Sequence, residues 1–197
     1  MIDIPSPAVA VVGRHNSGKT TLVVKLIAAL TEHGHALGSV THHHKEGFQI
    51  DLPGKDTYRH REAGATETVI ASPGQFACIK TISGEQECAD IVAKMPGHDL
   101  VIVEGYRKSG LPTIEIMRAD NAADAKVAEA FAEGARVGAS LGTDFIQASR
   151  GDRAFEADPD LLAKMPTANT IAVVTDIPAA IEASQVYGIP AFDPDDV

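Results

Sequence analysis

Apolar residues occur along the chain in short runs that alternate with helical stripes. The first run, Ala8 to Val12, is uninterrupted and is typical of a strand buried on both faces. The next apolar residues, Leu22, Leu26 and Leu30, are spaced four apart, which places them on one side of a helix. Gly34 follows, at a position where the end of a helix favours a left-handed residue. The pattern therefore predicts a buried strand followed by an amphipathic helix.

The same alternation continues over the rest of the chain. Further strands are predicted at 36–41, 68–71, 75–82, 100–103, 114–117 and 170–175. Helices are predicted at 56–63, 85–95, 121–132 and 178–187, and Asp193 with Pro194 predicts the start of another. This order favours an α/β fold, a mostly parallel twisted sheet with helices on both faces and ligands at the carboxyl ends of the strands. We expect one domain over residues 1–197, with an insertion or flap at about 134–165, where strand and helix patterns are weak.

The sequence between the first strand and the first helix, Gly13-Arg-His-Asn-Ser-Gly-Lys-Thr20, fits the phosphate-binding pattern G-x-x-x-x-G-K-[ST]. The glycines let the backbone approach a phosphate, and the loop N–H groups and the helix N-terminus face the anion. We predict that Lys19 bridges the β and γ phosphates as a catalytic cation, that the Thr20 hydroxyl binds Mg²⁺, and that Thr21 supports the helix start or a phosphate. The chain is thus predicted to be a P-loop NTPase. Its predicted nucleotide-binding residues in this segment are Gly13, His15, Asn16, Ser17, Gly18, Lys19, Thr20 and Thr21.

Two acidic residues are candidates for the metal site. Glu104 ends an apolar run and precedes Gly105, which is the position expected for a residue that holds Mg²⁺ or orients the attacking water, although Asp is more usual there. Asp51 begins Asp51-Leu-Pro-Gly54, which fits the D-x-x-G of many GTPases. The alternatives are a surface Glu at a strand end and a turn-forming Asp.

Three adjacent histidines, His42 to His44, follow a predicted strand. A transition metal, a nucleotide or substrate contact, and a solvated loop all remain open, because successive side chains point in different directions and a triplet rarely completes a metal site alone. Three arginines that would suit an anionic substrate are interpreted instead as a solvated surface: Arg59, Arg61 and Arg107.

Composition limits the partners. The formal net charge of −10 disfavours nucleic acid and membrane surfaces as partners. The sequence has no run of eighteen apolar residues, and its first residues lack the features of a signal peptide, so we expect a cytoplasmic protein. Cys78 and Cys88 have no zinc-ligand spacing and are predicted to be buried thiols.

Several segments together resemble the MobB family, the GTP-binding adaptor of molybdopterin-guanine dinucleotide biosynthesis. The segment P-G-K-D-T with A-G-A behind it is far more specific than the P-loop alone. The segments that carry the resemblance are Gly13 to Thr20, His42 to Lys45, Asp51 to Thr57, Ala63 to Ala65, Val69 to Ser72, Val103 to Gly105 and Ile171 to Pro178. The stretch between Met117 and Thr170 is longer than the usual connection in the family.

The resemblance implies a homodimeric P-loop protein that binds GTP with Mg²⁺ and hydrolyses it slowly. It also implies a partner, the molybdenum cofactor guanylyltransferase that joins GMP to molybdopterin, and leaves open whether molybdopterin itself contacts this chain. Asp51 and Glu104 would lie near the metal, and Thr175 and Asp176 would lie where a guanine-reading loop is expected. An N-K-x-D motif is absent, so the preference for guanine comes from the resemblance alone.

Two other functions remain open from the sequence. The histidines suggest a nickel-insertion GTPase that serves as a metallochaperone. The Val-Glu-Gly segment at 103–105 is similar to that of ATP-dependent small-molecule kinases or ligases such as dethiobiotin synthetase.

Overall fold

The computed structural model of the chain describes residues 4–43, 47–141 and 158–196. The chain divides into two compact units, one formed by residues 1–42 and 88–197 and the other by residues 43–87. We call them the sheet unit and the hairpin unit. Half of the insertion predicted at about 134–165, residues 142–157, lies outside the described residues. In the described part of the chain, no helix is long and apolar enough to cross a bilayer.

The described helices and strands follow the predicted alternation. In chain order they are β1 Ala8–Gly13, α1 Lys19–Glu32, β2 Leu37–Thr41, α2 Asp56–Glu62, β3 Glu67–Ser72, β4 Gln75–Lys80, α3 Cys88–Val92, β5 Leu100–Glu104, β6 Thr113–Met117, α4 Ala122–Arg136, α5 Pro159–Leu162, β7 Thr170–Thr175, α6 Pro178–Val186 and β8 Ala191–Phe192.

The sheet unit is built on six parallel strands in the order β2-β5-β1-β6-β7-β8. The strand β1 lies between β5 and β6, with Val11 level with Glu104 on one side and Gly13 level with Ile116 on the other. Because parallel strands end at the same edge, the loops after β1 and β5 begin side by side. The predicted α/β fold with a parallel sheet is confirmed.

Helices cover both faces of this sheet, and the alternation of side chains along each strand decides which core they join. On β1, Val9 and Val11 pack with Leu22 and Val23 of α1. Val12 faces the other side, where it belongs to the same apolar cluster as Cys88 and Val92 of α3. On the same side, α4 and α6 pack over β6 and β7. The phosphate-binding pattern is thus carried on a strand and a helix that are both anchored in the core.

The hairpin unit differs from the prediction of a single sheet. Its strands β3 and β4 form a separate antiparallel pair, in register from Glu67 with Lys80 to Ser72 with Gln75. Pro73 and the left-handed Gly74, with φ of 82°, occupy the central positions of the connecting turn, as a tight turn of this kind requires. This Pro-Gly pair between two strand patterns is a hairpin signal that the sequence analysis did not use.

Three smaller predictions are also corrected, and one short strand was not predicted. The helix expected at 85–95 is shorter, and residues 193–196 form a turn in which Asp193 Oδ1 accepts a hydrogen bond from the N–H of Asp195, not a helix. The strand β8 was not predicted, because two residues are too few to give a pattern. Cys88 is buried as expected, whereas Cys78 is exposed, since the strand that carries it has both faces largely open.

Candidate functional site: the phosphate loop and its acidic neighbour

The loop between β1 and α1 has the backbone that a phosphate cradle needs. Asn16 and Gly18 have φ of 64° and 86°, which are left-handed conformations. Gly13 is constrained for another reason, because a Cβ there would lie 2.6 Å from the carbonyl oxygen of Ile116 on β6. The first of the two motif glycines therefore permits close strand packing, and the second permits the turn into α1.

Lys19 is the first residue of α1, and its side chain bends back over the loop. Its Nζ donates a hydrogen bond of 2.6 Å to the carbonyl oxygen of Arg14. Burial lowers the pKa of this ammonium, and the negative charges of Glu104 and Asp124 oppose that change. The cation predicted from the motif is thus held at the phosphate loop, between two carboxylates.

Thr20 and Glu104, both predicted metal-site residues, are brought into contact. The Thr20 hydroxyl donates a hydrogen bond of 2.6 Å to Oε1 of Glu104. Because β5 is the neighbour of β1, Glu104 ends beside the phosphate loop although it lies 84 positions further along the chain. A hydroxyl and a carboxylate supply the oxygen ligands that Mg²⁺ prefers. These side chains therefore fit a magnesium ion.

The other loop residues have different environments. Ser17 is fully buried, and its hydroxyl donates to the carbonyl oxygen of Arg14 over 2.9 Å. His15, Asn16 and Thr21 are exposed. The carbonyl oxygen of His15 accepts a hydrogen bond of 2.9 Å from the side-chain amide of Asn121.

Asp51 belongs to the hairpin unit and has partners within it. Its Oδ1 accepts a hydrogen bond of 3.0 Å from the Thr57 hydroxyl, and its Oδ2 lies 3.5 Å from Nε of Arg61. The carboxylate thus ties the segment before α2 to that helix. A role for Asp51 as a metal ligand stays a prediction. The pairing corrects the interpretation of Arg61 as part of a solvated surface.

Thr175 and Asp176 lie at the carboxyl end of β7, as predicted, but their polar atoms already have protein partners. The Thr175 side chain is buried, and its oxygen accepts a hydrogen bond from the N–H of Ile177. Asp176 accepts hydrogen bonds from Nε of Arg118 at 3.1 Å and from the N–H of Ala119 at 2.6 Å. This ion pair joins the loops after β6 and β7. The assignment of Thr175 and Asp176 to guanine recognition stays a prediction.

The histidine triplet is only partly described, because His44 lies outside the described residues. His42 stacks on Tyr106, with ring centroids 4.1 Å apart, whereas His43 stacks on Phe48. Tyr106 itself has φ of 50°, a left-handed conformation that is unusual for an aromatic residue. Within residues 4–43, 47–141 and 158–196, no group of three or more His, Cys, Asp or Glu side chains is arranged to hold a metal ion.

A buried ion pair near the loop was not predicted from the sequence. Arg107 donates two hydrogen bonds of 2.5 Å to the carboxylate of Glu115 on β6, and one of 3.2 Å to the carbonyl oxygen of Met165. The interpretation of Arg107 as solvated is therefore wrong, since its side chain is 16% exposed. Burial raises the pKa of Glu115 to about 7, and Arg107 opposes that rise. The only sequence signal was a charged residue inside an apolar strand.

Known proteins with similar sequences belong to one biosynthetic pathway. Residues 8–133 match the family described as MobB, Molybdopterin guanine dinucleotide synthesis protein B. The chain is 34% identical over 116 residues to the molybdopterin-guanine dinucleotide biosynthesis adapter protein of Escherichia coli, an alignment that covers 57% of this chain and 66% of that protein. It is 35% identical over 115 residues to the corresponding adapter protein of Haemophilus influenzae, covering 57% of this chain and 64% of that protein. The chain thus spans slightly less than two thirds of the length of these relatives.

Solved structures agree on the fold. The crystal structure of Bacillus subtilis MobB superposes with a TM-score of 0.62 at 24% identity, over 96% of this chain and 91% of that one. A MobB homolog from Bacillus stearothermophilus gives a TM-score of 0.53 at 22% identity, over 96% of this chain and 88% of that one. At these identities the superpositions support the fold, and the sequence match supports the family. The chain therefore belongs to the MobB family.

Proposed function

We propose that this protein is a GTP-binding adapter of molybdopterin guanine dinucleotide biosynthesis. It assists the molybdenum cofactor guanylyltransferase in joining GMP to molybdopterin. Membership of the MobB family gives the pathway. The observation that carries the nucleotide-binding part is the contact of Thr20 with Glu104 beside Lys19, because it assembles the residues that a magnesium nucleotide needs on one loop edge.

In this proposal each residue acts on the phosphates or the metal. The N–H groups of the loop and the ammonium of Lys19 bind the phosphate oxygens, and Thr20 and Glu104 hold the magnesium ion. The metal, when bound, neutralises charge on the β and γ phosphates. Glu104 accepts a hydrogen bond from the Thr20 hydroxyl and so fixes the orientation of that hydroxyl at the metal site.

Slow hydrolysis is consistent with the contacts of two arginines, Arg107 and Arg118, that follow β5 and β6. Arg107 lies three positions after Glu104, but its guanidinium is bonded to Glu115 and to Met165. Arg118, at the end of β6, is paired with Asp176. Neither guanidinium is free to stabilise charge on a transferring phosphate, a contact that accelerates hydrolysis by about 10³-fold to 10⁵-fold where it is present. An adapter that uses GTP binding more than GTP turnover fits these contacts.

The proposed homodimer rests on the hairpin unit. Val69 and Phe76, on neighbouring strands of the hairpin, are 52% and 72% exposed. Because Val69 pairs with Cys78 and Ala71 pairs with Phe76, both side chains lie on one face of the hairpin, and a second copy of the chain would remove their apolar surface from water. The guanylyltransferase is the proposed partner for the joining of GMP to molybdopterin.

Equilibrium binding tests the nucleotide proposal. GTP, ATP and their diphosphates are titrated into the protein with Mg²⁺, with Lys19→Ala as the control that lacks the ammonium. We expect GTP to bind best and the Lys19→Ala variant to lose at least about a hundredfold in affinity, because a charge-assisted contact to the phosphates is removed. Preference for ATP would favour a kinase or ligase instead, and an unchanged affinity of the variant would remove Lys19 from the site.

A second measurement addresses the adapter step. Purified guanylyltransferase, molybdopterin and GTP are combined with wild-type protein or with Lys19→Ala, and formation of the dinucleotide is followed. The proposal predicts stimulation by the wild-type protein and little by the variant. Equal rates with and without this protein would exclude an assisting role under those conditions.

A further inference from the structure

The first turn of α4 contacts the phosphate loop through Asn121. The residue caps α4, since its Oδ1 accepts a hydrogen bond of 3.1 Å from the N–H of Ala123. The other half of the same amide, Nδ2, donates a hydrogen bond of 2.9 Å to the carbonyl oxygen of His15. One side chain thus starts a helix and binds the loop 106 positions earlier in the sequence.

The position of the His15 carbonyl affects the next N–H group. In a trans peptide the C=O and the following N–H point in opposite directions. Holding the His15 oxygen toward Asn121 therefore turns the Asn16 N–H away from α4. Asn16 has a left-handed φ of 64°, a conformation that an asparagine adopts more readily than most residues but still at some cost.

Asp124, in the first turn of α4, lies against the same loop. It is fully buried, and its Oδ2 accepts a hydrogen bond of 3.0 Å from the N–H of Arg118. Among the described residues, its Oδ1 is buried without a hydrogen-bond partner. Burial raises the pKa of this carboxyl, while the Ser17 hydroxyl and the charges of Arg14 and Lys19 oppose the rise. Asp124 is thus a second residue at the start of α4 that lies against the phosphate loop.

We propose that Asn121 is a positioning residue of the phosphate loop: its amide fixes the peptide between His15 and Asn16 and thereby aims the Asn16 N–H at the phosphates of a nucleoside triphosphate. The inference rests on the proposed nucleotide-binding function of the loop. It assigns to α4 a part in ligand affinity in addition to its part in the core.

Substitutions at Asn121 separate the two halves of its amide. Asn121→Ser keeps an oxygen that caps the helix but is too short to reach His15, whereas Asn121→Ala removes both bonds. The matched control is Asp158→Ala, which removes the side-chain cap of α5, where Asp158 Oδ1 accepts from the N–H of Asp160. For each protein we measure the Kd of GTP with Mg²⁺ by calorimetry, KM and kcat of hydrolysis, and the Tm without nucleotide.

We expect Asn121→Ser to weaken GTP binding about fivefold to tenfold, since one oriented hydrogen bond is lost, and to lower the Tm only slightly, because the helix cap is kept. The KM should rise while kcat stays the same. Asn121→Ala should weaken binding equally and lower the Tm further, and Asp158→Ala should lower only the Tm.

The outcomes distinguish this inference from the function on which it rests. If wild-type protein binds GTP and Asn121→Ser binds it equally well, the positioning role is wrong and the function stands. If Asp158→Ala weakens binding as much as Asn121→Ser, the effect is general destabilisation and the inference fails. If wild-type protein binds neither GTP nor ATP, the proposed function fails first, and the positioning role fails with it.

Discussion

The two units of this protein use apolar residues in opposite ways. In the sheet unit, the central strands are covered on both faces, and Val11, Ile102 and Val103 are completely buried. In the hairpin unit, α2 and β4 have no buried residue, and Phe76 is 72% exposed. The sheet unit therefore contains the core that stabilises it, whereas the hairpin unit leaves apolar side chains exposed.

The ion pairs of the two units also differ in how far they are buried. The sheet unit buries a charged pair, Arg107 with Glu115, inside its core layer. The hairpin unit has a more exposed pair, Lys80 with Glu67, whose side chains are 63% and 47% exposed. Substitutions should consequently change folding in the first unit and local order or association in the second.

The largest expected effect is that of Arg107→Ala in the sheet unit. The substitution leaves Glu115 buried without its cation, which costs about 3–5 kcal/mol of unfolding free energy. Urea unfolding at pH 7.5 measures it. The control is Arg136→Ala, which removes a surface pair with Glu133 where the Arg136 side chain is 69% exposed, and which should cost less than about 1 kcal/mol. If both variants lost the same unfolding free energy, the buried pair would stabilise the protein no more than the surface pair does.

The same carboxyl predicts how stability depends on pH. Burial raises the pKa of Glu115 to about 7 in the folded protein, against the ordinary value of 4.5. The folded state therefore binds the proton more tightly, so the contribution of Glu115 to stability is present below pH 4.5 and is lost as pH rises to 7. The loss amounts to about 3 kcal/mol. When urea unfolding is measured from pH 4.5 to 7.5, the unfolding free energy of Glu115→Gln should fall less with rising pH than that of the wild type. The same dependence on pH in both proteins would contradict the raised pKa of Glu115.

Much of the sheet unit could be predicted from the sequence because each element depends on local pattern. The run from Ala8 to Val12 is apolar because both of its faces are covered, and the motif from Gly13 to Thr20 fixes the loop by its own backbone requirements. Local signals also predicted Thr20 and Glu104 at the same sheet edge, near a metal, whereas the hydrogen bond between them was not predicted.

The missed features depend on partners that are distant in the sequence. Glu115 is explained only when Arg107 and the neighbouring strands surround it, and Asn121 looks like an ordinary helix cap until the loop at His15 lies beside it. Asp51 was interpreted from a short motif, although Thr57 and Arg61 are within its reach in the folded unit. Spacing predicts elements well, but it does not say which polar groups will meet across them.

A smaller effect is expected for Thr57→Val in the hairpin unit. The substitution removes the hydrogen bond to Asp51 with little change of shape and should cost about 1 kcal/mol. Because the bond lies within the hairpin unit, faster hydrogen exchange should be confined to residues 51–62, with exchange in β1 and β5 unchanged. Acceleration throughout the sheet unit would show that the two units do not respond separately.

The smallest effect on unfolding, and the clearest difference between the units, is expected from Phe76→Ser. Because Phe76 is already exposed, the unfolding free energy of the isolated chain should change by less than about 0.5 kcal/mol. The proposed dimer, by contrast, should dissociate at concentrations at least about tenfold higher than wild type does, because apolar contact area is lost. Sedimentation equilibrium measures this, with Phe192→Ser as the control, since Phe192 is 50% exposed on β8 of the sheet unit. Equal weakening by both substitutions would place the association surface elsewhere than the hairpin, and no weakening by either would remove Phe76 from it.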